Sequence, residues 1–389
     1  KRYQSNGFSL YFGIINLFSF AFVVLLVGGI SIVMQKLLGI DNLTALSITL
    51  IFVTGYVLLG GTYAHVYTNM LQGILMIIIS VVIVFAGVKL MLSTPDFFSV
   101  IESQNSNLLK WTNPESTLYN SIFSTYIAGF FIGAALVCQP HILTKALYVK
   151  TDKEVKQYIV IFSIIFFLFL LLLLAGFWAI VIVPESELLD PVTGAFRQDL
   201  VMTAYLQNAF PEWLFIIISV VLLAASMSTL DGLLVGISTI TANDVVLNLI
   251  KRKKGDNFDE ERSMKTAMQA SHIVLIVIAI MAFFISLNPP KLLGIFGQVG
   301  VYGLVVAAVP PLLIGILYQK VNTQIVWVLS AIGLVIHLLL FFYGTNWFAE
   351  SQLAFSNPAV PATFALSTSC VPGLIYHQFF YKKDNNAQS

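Results

Sequence analysis

The sequence predicts an all-helical, polytopic membrane protein, and three observations support that prediction. Of 389 residues, 58% are hydrophobic and only 10% charged, against about 25% charged in soluble domains. Mean hydropathy is +0.88. Apolar runs long enough to cross a bilayer, about 20 residues each, recur along the whole chain. Runs such as "IIFFLFLLLLLAGFWAIVIV" also lack the alternation that a membrane β-barrel requires.

The runs fall at about 8–37, 43–60, 67–92, 121–146, 157–183, 212–250, 266–288, 293–318, 324–345 and 358–381, ten in all. They predict one transmembrane helical domain over 1–389, where length alone would allow about two or three soluble domains. Positive charge orients the bundle. With the N-terminus inside, 15 of the 20 basic residues lie on the cytoplasmic side, among them Lys150, Lys153, Lys156 and the "KRKK" run at 251–254. Only Lys36, Lys89, Lys110, Arg197 and Lys291 stay outside. Both termini are therefore expected in the cytoplasm, with the protein in a plasma membrane, taken as the bacterial inner membrane. The outer loops 93–120 and 184–211 are long. In the second, "FRQDLVMTAYLQNAF" reads equally as a short helix lying over the bundle or as a solvated loop.

Composition also excludes functions. A net charge of +1 gives no footprint for nucleic acid. Cys138 and Cys370 both lie in apolar runs and suggest neither a disulfide framework nor a metal-ligand spacing. His65, His272, His337 and His377 show no ligand spacing and read as structural. A membrane-embedded hydrolase would need paired catalytic groups, which scattered histidines and a lone intramembrane aspartate do not supply. No enzyme activity and no cofactor are expected.

One span differs from the rest. "AASMSTLDGLLVGISTITAND", Ala224–Asp244, carries hydroxyls and a carboxylate within an apolar stretch. An aspartate at the centre of a membrane helix costs roughly 2.5–3.5 kcal/mol on insertion scales, so function is the default reading for Asp231. At 100° per residue, Ala224, Ala225, Ser228, Thr229, Asp231, Gly232, Val235, Gly236, Ser238 and Thr239 share one half of the helix. Leu222, Leu223, Met227, Leu230, Leu233, Leu234, Ile237 and Ile240 fill the other half. The small residues Ala224, Ser228, Gly232 and Gly236 recur every fourth position, which predicts close approach of a second helix. Ser228 and Thr229 offer adjacent hard oxygens for a cation, and Asp231 offers a carboxylate for a cation, a proton or a cationic solute group.

Weaker signals lie elsewhere. Gly60 and Gly61 predict a sharp turn between the second and third spans, with Asn69 and Gln72 one turn apart at the inner end of the third. Gln139, Pro140 and His141 lie near the inner end of the fourth span, where Pro140 frees a carbonyl about one turn earlier. "GIFGQVGVYGLVVAAVPPLLIGI" predicts a deformable helix suited to a gate.

Taken together, these stretches are similar to the sodium/solute symporter family of proline, pantothenate, choline and sugar cotransporters. The similarity rests on Gly60–Gly61 followed by "A…TNMLQ" (Ala64–Gln72), on "QPHI" (Gln139–Ile142) and, most specifically, on "AASMSTLDGLL…ITANDV". It covers nearly the whole chain, in order. The resemblance implies an inverted repeat of five plus five helices that works by alternating access, with solute and sodium near the midplane. It further implies that this chain lacks the first two core helices and one before them. The sodium ligands it implies are the hydroxyls of Ser228 and Thr229 and the backbone oxygen of Ala225, completed by carbonyls of an unwound first core helix. Family members that use a second sodium share an aspartate and a serine where this chain has Asn69 and Ala225. An amide and a methyl make a weak site for a hard cation, so one sodium per cycle is expected. Asp231 resembles the choline and pantothenate members and is expected to bind ion or substrate, with Asn69 and Gln139 on the inner pathway.

The function expected is sodium-coupled import of a small organic solute across the lipid bilayer. A solute sensor built on a symporter-like domain and an inactive fragment of a symporter are the alternatives.

Overall fold

The computed structural model describes residues 3, 5–59, 62–139, 142–143, 149–189, 194–254, 259–290 and 292–381, without the side chains of 6, 59 and 62–68. The Gly60–Gly61 turn, Pro140, His141, the His65 side chain and the terminal lysines therefore lie outside the described residues.

The described chain is helical. In order it forms α1 (Asn6–Ile15), α2 (Phe20–Leu38), α3 (Asn42–Leu59), α4 (Thr62–Ser93), α5 (Phe97–Gln104), α6 (Ala128–Ala135), α7 (Asp152–Leu172) and α8 (Ala175–Ile182). Then follow α9 (Val201–Ala209), α10 (Glu212–Ile240), α11 (Asn248–Lys254), α12 (Glu260–Leu287), α13 (Leu293–Leu317), α14 (Thr323–Trp347) and α15 (Ala359–Ile375). Eight helical stretches among the described residues are long and apolar enough to cross a membrane. The expected spans at 43–60 and 121–146 correspond to two shorter apolar helices, Asn42–Leu58 and Phe123–Cys138.

Local chemistry sets the helix ends. Gly39 closes α2 at φ 65°, its N–H bonding Gln35 O at 3.0 Å, a left-handed cap that favours glycine. Two residues later the Thr44 hydroxyl and amide donate to Asp41 at the start of α3, which holds the Asp41 carboxyl below its usual range. Thr151 and Glu154 form a reciprocal capping box at α7. The Lys150 and Thr151 amides donating to Glu154 keep its carboxyl low.

The first span is interrupted by a 3₁₀ turn, Asn16–Ser19, between α1 and α2. Above it, Val23, Val24, Val27 and Ile30 of α2 meet Leu46 and Leu50 of α3, Leu230, Leu233 and Leu234 of α10, and Leu275 of α12. A second cluster gathers α4, α5, α8, α9 and the N-terminal half of α10 around Trp178 and Tyr205, whose rings lie 5.8 Å apart. The segment left open between lid and loop is thus a helix, α9, with Ala204, Tyr205 and Leu206 fully buried. A third cluster joins α6, α13 and α15.

α13 carries Pro310 and Pro311 inside continuous helix. Pro311 has no N–H for the carbonyl of Ala307, four residues earlier. Ser330 of α14 donates to that oxygen instead at 2.5 Å, so a neighbouring helix satisfies the freed group. The glycines of α13 serve packing: Gly297 lies on Leu25, and Gly300 on Ala21 and the Phe18 carbonyl.

The close-approach expectation for the small residues of α10 is corrected at Gly236, where an added Cβ would meet no described atom within 4 Å. The leucine half of α10 is what the bundle buries, because branched apolar side chains interdigitate with α2, α3 and α12. The hydroxyl half is left more open, with Thr229 and Thr239 exposed.

Candidate functional site

The apolar half of α10 fixes its rotation, and the residues opposite then have defined places. Ser228 is half-buried and donates its hydroxyl to Asn69 Oδ1 on α4. α4 and α10 pack along their lengths, so Asn69 is held by the helix rather than by a loop. Thr229 donates to the backbone oxygen of Ala225 at 3.1 Å, one turn back on the same helix. Ala225 itself is buried.

Four of the expected residues therefore stand together: Ala225, Ser228, Thr229 and Asn69. The donor of Ser228 is spent on the amide oxygen, which leaves its lone pairs to face elsewhere. The hydroxyl pair thus presents acceptor oxygens. Asp231 is buried three residues further along α10, at 9% exposure. On that side Tyr56 of α3 donates to the carbonyl of Met227 at 3.3 Å, one turn before Asp231.

Gln139 stands apart. It is buried, and its backbone turns extended at φ −65°, ψ 134°, ending the 3₁₀ turn Leu136–Cys138 that follows α6. Its side-chain amide donates to Leu136 O at 3.2 Å. This segment packs against α13, so nothing described joins Gln139 to the hydroxyl pair. Gln72 sits one turn beyond Asn69 on α4, and its Oε1 is buried with no hydrogen-bond partner among the described residues.

Sequence reasoning placed Asn69 on a pathway and missed its direct bond to Ser228. It missed Tyr56 altogether. The contacting residues are 159 and 171 positions apart, and no spacing rule relates them. The signal present was a polar residue on each of two apolar spans, which says that both need partners without saying which.

The model of the sodium:solute symporter family matches residues 1–371. The chain belongs to that family. Among curated proteins it is 24% identical over 342 residues to the sodium/pantothenate symporter of Haemophilus influenzae, covering 86% of this chain and 65% of that protein. It is also 24% identical over 271 residues to the uncharacterized symporter YwcA of Bacillus subtilis, covering 68% of this chain and 51% of that one. The chain thus spans less than two thirds of the length of either relative. Its fold matches a solved Na+-coupled sialic acid symporter in a substrate-bound, outward-open state, with a TM-score of 0.67 at 18% identity. That match covers 95% of this chain and 74% of the other and is a likeness of fold. For this member of the sodium:solute symporter family, the hydroxyl pair on α10 is the feature of the site to interpret.

Proposed function

We propose that the protein is a secondary active transporter that imports a small organic solute together with sodium. The observation that carries this reading is the pair Ser228–Thr229, with Ser228 held by Asn69 and Thr229 beside the Ala225 oxygen. Sodium is a hard cation that takes oxygen ligands, and this turn of α10 offers the Ser228 hydroxyl together with the Thr229 hydroxyl and the Ala225 oxygen, the last two 3.1 Å apart. Thr229 is exposed on a helix buried on its leucine side. A hydroxyl face inside a bilayer needs further protein or a water-filled cavity against it. Backbone carbonyls of a broken helix facing this side would complete the cation's shell. The inverted repeat of five plus five helices belongs to the same reading.

The mechanism follows from linkage. Sodium binding at α10 and solute binding each favour the other, so the downhill ion drives the solute. One sodium per cycle is expected, because Asn69 supplies an uncharged amide and Ala225 a methyl where a second hard cation would need charge and a hydroxyl. Reconstituted protein should take up solute under an inward sodium gradient, with a Hill coefficient for sodium of about one. Equal uptake with potassium in place of sodium would overturn the coupling, and a coefficient clearly near two would overturn the stoichiometry.

Asp231 is the proposed second ligand group, for ion or solute. Asp231→Asn keeps the shape and removes the charge. It should raise the half-saturating concentration of sodium or of solute about tenfold, the loss expected when a charged partner becomes neutral. If both constants stay unchanged while thermal stability rises, the carboxylate is only a buried burden.

A further inference from the structure

The C-terminal ends of α13 and α15 are joined by a cluster of hydrogen bonds that the site described above does not use. The connector Tyr318–Asn322 leads from α13 to α14, and α15 continues into a π-helical turn, Tyr376–Tyr381. Between them Tyr318 donates to Leu374 O at 3.1 Å, Asn322 Nδ2 to Tyr376 Oη at 3.4 Å, and Tyr381 to Val321 O at 3.5 Å. At the centre lies His377, 1% exposed. Its Nε2 is 3.1 Å from the backbone nitrogen of Asn322, and its Nδ1 is 2.8 Å from Gly373 O.

These two partners fix the proton. A backbone N–H can only donate, so Nε2 must carry a lone pair; a carbonyl can only accept, so Nδ1 must carry the hydrogen. The imidazole is therefore neutral in this arrangement. Protonation would place an N–H on Nε2 against the N–H of Asn322, two donors face to face in a buried place.

We propose that His377 is a proton-sensitive clasp: neutral, it fastens the α13–α14 connector to the last span, and protonated from the cytoplasmic side it lets the connector go. The groups that face the ring are aromatic. The rings of Tyr318, Tyr376 and Tyr381 lie 5.5, 5.3 and 5.5 Å away. Tyr3 of the first span packs into the same apolar cluster as Tyr318 and Leu374. Lys320, the charged residue of the connector, is exposed, and no carboxylate among the described residues pairs with His377. The π-helical turn aims this set at the connector, a local departure often found where helices do a job. Under the transporter reading above, on which this consequence rests, freeing the inner end of α13 favours opening toward the cytoplasm when the cytoplasm turns acid.

The clasp can be tested without transport. In purified protein without sodium or solute, amide exchange over 318–325, corrected for the intrinsic effect of pH, is compared at about pH 7.5 and about pH 5.5, either side of the usual histidine range. Wild type should exchange about tenfold faster at the lower pH, the scale of one lost buried hydrogen bond. His377→Gln, which can accept and donate without titrating, should show no such change. Equal corrected exchange at both pH values in wild type, or the same acceleration in His377→Gln, would overturn the clasp. Imidazole ¹⁵N spectra of the wild type give a second reading that needs no variant. The Nδ1–H tautomer is expected at the higher pH, and the Nε2–H tautomer would overturn the assignment. A clasp that works in a protein showing no sodium dependence would sink the transporter reading alone.

Discussion

Vesicles carrying Thr229→Ala or Ser228→Ala are expected to need about tenfold or more sodium for half-maximal uptake, and the double variant to lose sodium stimulation altogether. A hydrogen bond or ion–dipole contact to a charge contributes roughly 1.5–3 kcal/mol, or about one to two factors of ten. The helix itself should tolerate both changes. Thr229 is exposed, bonds only within its own helix at 3.1 Å, and alanine is the better helix former. Ser228→Ala removes a hydrogen bond to Asn69 Oδ1 on another helix, so it should cost more in folding than Thr229→Ala. Two controls separate oxygen from shape. Thr229→Ser should retain coupling, whereas Thr229→Val, which keeps the volume but not the hydroxyl, should behave like alanine. Sodium-dependent thermal stabilisation reads the same site without transport. Unaltered sodium dependence in the double variant would remove the ion site from α10.

The largest effect on stability is expected at Gly87. An added Cβ there would fall inside the indole of Trp178, which is 1% exposed and braced by Tyr205 of α9. A buried ring held on both sides cannot swing away, so α4 and α8 must separate. Overpacking of this kind costs about 3 kcal/mol. Gly73 lies on the same helix with no described atom within 4 Å of an added Cβ. Gly73→Ala should therefore be neutral or stabilising by about 0.5–1 kcal/mol, the helix propensity of alanine over glycine. Thermal unfolding of the two variants in one detergent decides it. If Gly87→Ala proves as stable as Gly73→Ala, the packing of Trp178 on α4 is wrong. Pairing Gly87→Ala with Trp178→Leu should recover part of the loss, since the clash then has room to relax.

Much of this protein is legible residue by residue. The apolar runs announce the spans because a bilayer accepts little else, and the described helices follow them to within a few residues at most ends. The division of α10 into hydroxyl and leucine halves is likewise visible on a helical wheel. Which half turns inward is not. The small-residue pattern pointed to close packing on the Ser228 side, whereas Leu230, Leu233 and Leu234 carry the burial. Periodicity marks two faces and leaves the neighbours to choose between them. The same limit hid the partnership of Ser228 with Asn69 and the use of Ser330 to cap the carbonyl that Pro311 frees. It also left segment 201–209 undecided, since a helix with Tyr205 and Leu206 buried differs from a solvated loop only in what lies beneath it.

Length, hydropathy and the placement of polar residues along the chain thus determined by themselves that this is a helical membrane protein with one span unusually rich in hydroxyls and carrying a carboxylate. Those properties act locally, through the cost of putting each residue into lipid. Tertiary packing decided which oxygens meet. Asn69 reaches Ser228, and His377 reaches the backbone of Asn322, only because apolar side chains elsewhere lock the helices in rotation and height.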